Sequence, residues 1–166
     1  MSRQAKSKAT RPAGTSPSEF RFTVKLKHSK RIERTVVLRG DQTLDDLHAI
    51  MFEAFDRFDE HLYCFYFPKA PGRRSVGPAP KEYGAPELID PPDPFGGGKQ
   101  FDAAQTRIDA LRLKVGQQFE YLFDFGDCWW HQLQVQAIGP TRADQRYPAV
   151  VEKRGESPGQ YESTEE

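Results

Sequence analysis

Residues 119–138 read FEYLFDFGDCWWHQLQVQAI, and this stretch decides the fold. Apolar and polar residues alternate up to Phe125, break at Gly126-Asp127, and alternate again after two tryptophans and a histidine. A strand with one buried face has a side-chain period of two, and Gly-Asp is turn chemistry, so the stretch predicts a β-hairpin. Phe119, Tyr121, Phe123 and Phe125 share one face of the first arm, and Leu133, Val135 and Ala137 share one face of the second. Asp124, Asp127 and His131 gather around the turn, where polar side chains can converge. Trp129 and Trp130 are adjacent, so in a strand one faces the core and the other lies nearer solvent.

Upstream, Phe20, Phe22, Val24 and Leu26 alternate with Arg21, Thr23, Lys25 and Lys27, which predicts a first strand. His28-Ser29-Lys30 turns the chain into a second strand over Ile32–Arg39, with Ile32, Val36 and Leu38 inward. The same alternation turns Arg34 inward, where an unpaired charge is very costly, so a carboxylate partner is expected. After Gly40, Leu44, Leu47, Met51, Ala54, Phe55 and Phe58 recur at three and four, predicting an amphipathic helix over Thr43–Phe58. Thr43 with Asp46 resembles a capping box, and His48 borders the apolar face as a half-buried histidine. His61–Phe67 (HLYCFYF) is an aromatic run of strand length, expected in mid-sheet.

Residues 68–100 contain eight Pro and six Gly with almost no periodicity, which reads as a long loop, either a lid or locally disordered. Thr106–Leu113 predicts a short helix carrying Ile108 and Leu111. These elements define an α+β domain over residues 19–152: an antiparallel sheet built from hairpins, with one main helix packed on it. Residues 1–18 form a small, polar, basic segment expected to be disordered, and residues 153–166 an acidic, solvated tail.

Formal net charge is zero, yet residues 1–39 carry 11 Lys/Arg against two Glu, and the remainder is correspondingly acidic. Such asymmetry fits an anionic partner or attraction between the two parts. Cys64 and Cys128 are too few for a disulfide framework and read as small buried hydrophobes. No run approaches the roughly 20 apolar residues of a membrane span, and no apolar stretch follows the N-terminal charges. A soluble, cytoplasmic protein with no membrane partner is expected.

Several apparent motifs fail on context. Asp124-Phe125-Gly126 matches a kinase triplet, but no Gly-rich loop, strand lysine or HRD motif accompanies it. Gly96-Gly97-Gly98-Lys99 lacks P-loop spacing, and Gln100 stands where Ser or Thr is needed. Neither a nucleophile elbow nor a catalytic cysteine signature is present. Asp124, Asp127 and His131, with His61 as a further candidate, have donors that suit a divalent metal such as Zn²⁺ or Mn²⁺. The competing expectation is a polar structural cluster that fixes the hairpin tip, or a ligand or partner site. Lys25, Lys27, Lys30 and Arg31 make the first hairpin basic, which suits weak phosphate contact or simply a charged, solvated edge.

The segment FDFGDCWWHQLQV (Phe123–Val135) resembles the Y-D-F-G-D-x-W-x-H hairpin of the plasmid pRiA4b ORF-3-like family. Thr43–Phe65 is similar to that family's helix followed by an H-L-x-x-F strand, and Tyr83-Gly84 and RYPAVVEKRGESPGQYE also fit. The likeness spans about Phe20 to Glu162. It implies an α+β domain with an antiparallel sheet, in proteins associated with plasmids and transposon passengers, and it implies no particular activity. The matching positions are Arg34, His61, Leu62, Asp124, Gly126, Asp127, Trp129 and His131. Glu33 stands where relatives often have Trp, and Cys128 and Trp130 stand where polar residues are common. The cysteine many relatives carry near the C-terminus is absent.

The sequence therefore points to a non-enzymatic binding module of mobile elements, with a protein or nucleic-acid partner. Its site is expected around the hairpin tip, from Arg34, His61, Asp124, Asp127, Trp129 and His131. One alternative is a metal-dependent, hydrolytic enzyme using Asp124, Asp127 and His131, with the metal as its cofactor. Another is a weak electrostatic nucleic-acid binder through residues 1–39.

Overall fold

A computed structural model describes residues 17–68, 81–88 and 100–161. Nearly all of the expected basic N-terminal segment, most of the Pro/Gly-rich loop and residues 162–166 lie outside the described residues. Eight strands form one sheet: β1 (Ser18–Leu26), β2 (Glu33–Arg39), β3 (Tyr63–Phe67), β4 (Lys81–Gly84), β5 (Gln100–Asp102), β6 (Gln118–Phe123), β7 (Trp129–Pro140) and β8 (Ala149–Arg154). Their order across the sheet is β5-β4-β3-β6-β7-β1-β2-β8, and every pairing is antiparallel except β4 with β5. One α-helix among the described residues, α1 (Leu44–Ala54), packs on one face, so the class is α+β.

The period-two pattern of the strands is what seats that core. Phe20, Phe22, Val24 and Leu26 of β1, Phe119, Tyr121 and Phe123 of β6, and Leu133 and Val135 of β7 are all buried on the α1 side. β3 lies between β4 and β6, in mid-sheet. Ala137 departs from the inward alternation expected of it and is exposed. A register shift between Arg21 and Phe22 pairs Val135 with Phe22 but Ala137 with Arg21, so the extra β7 residue of this bulge reverses the facing of the residues beyond it. Ile138, opposite Phe20, packs on the core instead.

Helix α1 is shorter than the apolar spacing predicts. Thr43 caps it: its hydroxyl accepts from the Asp46 backbone N–H while the Asp46 carboxylate accepts from the Thr43 N–H. The last turn closes at Phe55, and Asp56 then adopts a left-handed φ of 55°. Phe58, expected on the apolar face, is consequently 69% exposed. The helix expected over Thr106–Leu113 is a single 3₁₀ turn, Ile108–Leu111, stopped by Arg112 at φ 53°. Within the region read as loop, β4 pairs with β3, and Tyr83 stacks edge-on against Phe67.

Beyond β8 the chain returns to the end of α1. The Ser157 hydroxyl donates to the Phe55 carbonyl. The Gln160 side-chain oxygen accepts from the backbone N–H groups of Phe58 and Asp59, and its amide donates to the Asp59 carbonyl. Gln160 is therefore buried in what the composition marks as a solvated tail.

Candidate functional site

The loop joining β6 to β7 runs over five residues, Asp124–Cys128, and both ends are left-handed: φ is 71° at Asp124 and 54° at Cys128. Left-handed backbone is tolerable for Asp, whose side chain bonds nearby backbone. Here Asp124 Oδ1 accepts from the N–H groups of Gly126 and Asp127, at 3.0 and 3.2 Å. Its own N–H donates to the Leu62 carbonyl, tying the tip to the segment before β3. Its other oxygen lies 3.6 Å from His61 Nε2, and His61 also meets the Tyr161 hydroxyl at 2.8 Å. Asp127, Phe125 and Cys128 point outward.

His131 behaves differently. It is fully buried, with Nδ1 on the Tyr121 carbonyl at 3.3 Å and Nε2 on Arg57 Nη2 at 3.1 Å. A carbonyl and a guanidinium on opposite nitrogens require a neutral ring: Nδ1–H donates to the carbonyl, and Nε2 accepts from Arg57. Burial, reinforced by the Arg57 charge, holds the imidazolium form well below its usual range. Asp124, Asp127 and His131 thus do not converge as expected of metal ligands. Among the described residues no three His, Cys, Asp or Glu side chains are grouped to hold an ion.

Arg57 is the residue the sequence reading missed. Its guanidinium lies 5.0 to 5.3 Å from the ring centres of Phe123, Trp129 and Phe55. Burial lowers its pKa to about 10, opposed by Tyr121 and Asp124. It occupies a polar position in the helical pattern, and only the early stop of α1 turns it inward. Its Nη1 and the Trp129 Nε1 are buried donors without a hydrogen-bond partner among the described residues.

Arg34 is buried as the alternation requires, but its expected carboxylate partner is replaced by backbone. Nε donates to the Ala54 carbonyl at 2.8 Å, and Nη1 donates to the carbonyls of Glu33 and Arg154 at 2.9 and 3.0 Å. Terminal carbonyls of a helix lack intrahelical partners, so a guanidinium there satisfies them and meets the negative end of the helix dipole. Burial lowers the Arg34 pKa, against the pull of Asp56. Phe55 separates the two cations, packing against Arg34 on one side and against Arg57 and His131 on another. The expected cluster therefore resolves into half-exposed His61 against buried Asp124 at the tip, exposed Asp127, and Arg34, Trp129 and His131 in a buried layer.

His48 is more deeply engaged than its helix-edge spacing suggests. Nδ1 lies 2.7 Å from the Tyr121 hydroxyl and Nε2 lies 3.1 Å from Glu60 Oε1. Because an ionised carboxylate only accepts, Nε2 carries the proton and the tyrosine hydroxyl donates to Nδ1. Burial lowers the His48 pKa, opposed by Glu60. Tyr63 stacks on the ring at 3.9 Å and donates to Asp45. His48, Glu60, Tyr63 and Asp45 line, with His61 and Leu62, a cleft of about 580 Å³.

Trp129 and Trp130 face opposite sides, as adjacency requires. Trp129 is in the arginine cage and Trp130 is half-exposed on the far face of the sheet. Cys64 is buried as expected, whereas Cys128 is exposed on the turn, contrary to the expectation for it.

Comparison with known proteins identifies the chain. It belongs to the plasmid pRiA4b ORF-3-like protein family, whose pattern matches residues 18–161. It is 28% identical over 142 residues to the uncharacterized protein y4hQ of Sinorhizobium fredii, a match covering 85% of this chain. The matched region spans 64% of that relative's length. The fold is similar to the crystal structure of MM3350, a protein of unknown function from Methanosarcina mazei Go1, with a TM-score of 0.67 at 18% identity. That likeness covers 89% of this chain and 75% of the other. No helix among the described residues is long and apolar enough to cross a membrane.

Proposed function

We propose that this member of the pRiA4b ORF-3-like family is a non-enzymatic docking module. Its binding face is the hairpin end of the sheet, and its occupant is a partner segment with apolar anchors flanked by Lys or Arg. One observation carries the reading. Of the six large apolar side chains exposed among the described residues, four come from segments that meet here: Phe58, Leu62, Phe125 and Tyr161. They come from three stretches distant in sequence, held together by the Asp124–Leu62 backbone bond, the His61–Tyr161 contact and the Gln160 clamp. Exposed apolar side chains gathered at one place, with a polar rim, are the usual mark of a contact surface.

The rim is acidic. Tyr161 donates to Asp59 Oδ2 at 2.8 Å, and that bond, with the nearby charges of Asp124 and Asp127, raises its pKa to about 12. A negative rim favours a cationic partner chiefly through association rate and specificity, while the apolar anchors supply affinity. The buried layer of Arg57, His131 and Phe55 gives this surface a rigid floor rather than a reactive centre, because both ring nitrogens of His131 are engaged.

Selection of peptides from a displayed random library against the full chain tests this reading. The enriched sequences are expected to combine aromatic or aliphatic residues with Lys or Arg. A Phe58→Ser, Phe125→Ser double variant with unchanged unfolding midpoint is expected to bind them at least tenfold more weakly, about 1.4 kcal/mol. Selection that enriches nothing, or peptides that bind the double variant equally well, refutes the reading.

A further inference from the structure

The sheet face opposite α1 carries a second arrangement, independent of the hairpin tip. Period-two alternation puts Tyr66 of β3, Glu120 of β6, Gln132 of β7 and Lys25 of β1 in one cross-strand row on this side. Leu122 and Trp130 form the next row. The rings of Tyr66 and Trp130 approach to 5.5 Å at 39°, and both are half-exposed. Lys27 lies 5.9 Å from the Trp130 ring centre and is ion-paired with Glu120. Lys27, His28, Glu120 and Trp130 line an open recess of about 380 Å³.

The β1–β2 turn adjoins this recess and is strongly basic. Lys27, His28, Lys30 and Arg31 are exposed, and Lys30 and Arg31 have no ion pair among the described residues. Two carboxylates nearest the recess are ion-paired, Glu120 with Lys27 and Glu33 with Lys25 and Arg154, while Glu82 lies cross-strand from Tyr66 and Glu152 cross-strand from Thr35. The turn itself is positive, and it lies beside the Trp130 ring, which Tyr66 contacts.

We infer that this face is a stacking platform for single-stranded nucleic acid. Trp130 and Tyr66 receive bases, while Lys30 and Arg31, with His28, contact backbone phosphates. Base–aromatic stacking needs the flat face of a base, which a duplex hides and a single strand exposes. Cations at the rim hold phosphates without reading sequence, so the platform is sequence-tolerant. The turn lysines singled out by spacing alone thus acquire a partner chemistry only when the sheet brings Trp130 and Tyr66 beside them.

The test is a titration of the full chain with labelled oligothymidine and oligouridine, read by anisotropy and by quenching of tryptophan emission. Binding is expected to quench emission in the parent protein. Trp130→Leu is expected to weaken binding by roughly five- to 150-fold, the range for removal of one base stack. Trp130→Phe, which keeps a ring, is expected to restore most of the affinity. Lys30→Glu with Arg31→Glu is expected to flatten the salt dependence by about 0.7 logarithmic units for each phosphate interaction removed. Circular dichroism and the unfolding midpoint establish that each variant is folded. The inference is overturned if Trp130→Leu binds as the parent does, because affinity then resides in charge alone. It is equally overturned if duplex DNA binds as tightly as the single strand, or if neither oligonucleotide binds at low salt.

Discussion

Replacing His131 with Gln is expected to change how stability depends on pH more distinctively than how large it is at neutrality. The ring is 0% exposed, it donates from Nδ1 to the Tyr121 carbonyl, and it faces a guanidinium at Nε2. Burial first, and the Arg57 charge second, oppose a proton there. In the unfolded chain the same imidazole takes up a proton near its ordinary pKa of about 6.5. Below that pH the unfolded state therefore binds more protons than the folded state, and stability falls as pH falls. One such group costs about 1.4 kcal/mol for each pH unit, until the folded ring itself titrates. His48 is shifted in the same direction by burial, opposed by Glu60, so it adds to the parent slope. Ordinary carboxylates, near about 4, stay ionised through most of this window and contribute little.

The assay is urea unfolding followed by tryptophan emission, from about pH 7.5 to about pH 5.5, on either side of the histidine range. His131→Gln is expected to be less stable than the parent at the upper end but to lose about one proton's worth of slope. Arg57→Met removes only the second cause of the depression, so its slope is expected to lie between those two. A His131→Gln protein with the full parent slope refutes the account of His131 as a ring held neutral by its surroundings.

Arg34→Met, close in volume but unable to donate, leaves the carbonyls of Ala54, Glu33 and Arg154 without this partner. It is expected to cost about 3 kcal/mol or more in unfolding free energy, and Arg34→Lys is expected to recover only part because its ammonium lacks the planar fork. Thiol titration with an aromatic disulfide reagent is expected to give one fast equivalent from exposed Cys128 in the native protein. Cys64, buried and with its pKa raised to about 11 chiefly by burial, is expected to react only on unfolding. Two fast equivalents would refute the placement of β3.

The parts of this fold legible in the sequence are those governed by local periodicity. Alternation located β1, β6 and most of β7, and the Thr43–Asp46 pair located the start of α1, because hydrophobic period and capping are short-range physics. The inward turn of Arg34 followed from alternation as well. Its partners did not, because helix-end carbonyls are invisible to a reading that looks for a carboxylate. Arg57 was missed for a related reason. The apolar spacing continued through Phe58, whereas the helix ended at Ala54, and a helix end depends on contacts from β2 and the far C-terminal segment. The β7 bulge and the displacement of Ala137 arose from pairing with β1, which no window along β7 contains. Asp124, Asp127 and His131 looked like one cluster because they are close in sequence, yet β7 begins only at Trp129, so the strand carries His131 into the core while Asp127 stays in the exposed turn.

The Gln160 clamp bears on how this protein is made. The segment it secures, Phe58–Asp59, leaves the ribosome about a hundred residues before Gln160 does. Until then the backbone N–H groups at the end of α1 have only water as a partner, and Phe58 stands beside a gap that Tyr161 later fills. The proposed docking surface is therefore completed only once Gln160 and Tyr161 have emerged. A nascent chain paused in its final strand already possesses most of the sheet but presents no finished face to a partner. If the proposed docking face is the binding face, recognition waits for Gln160 and Tyr161 to emerge, and a product terminated before them is silent rather than a competitor.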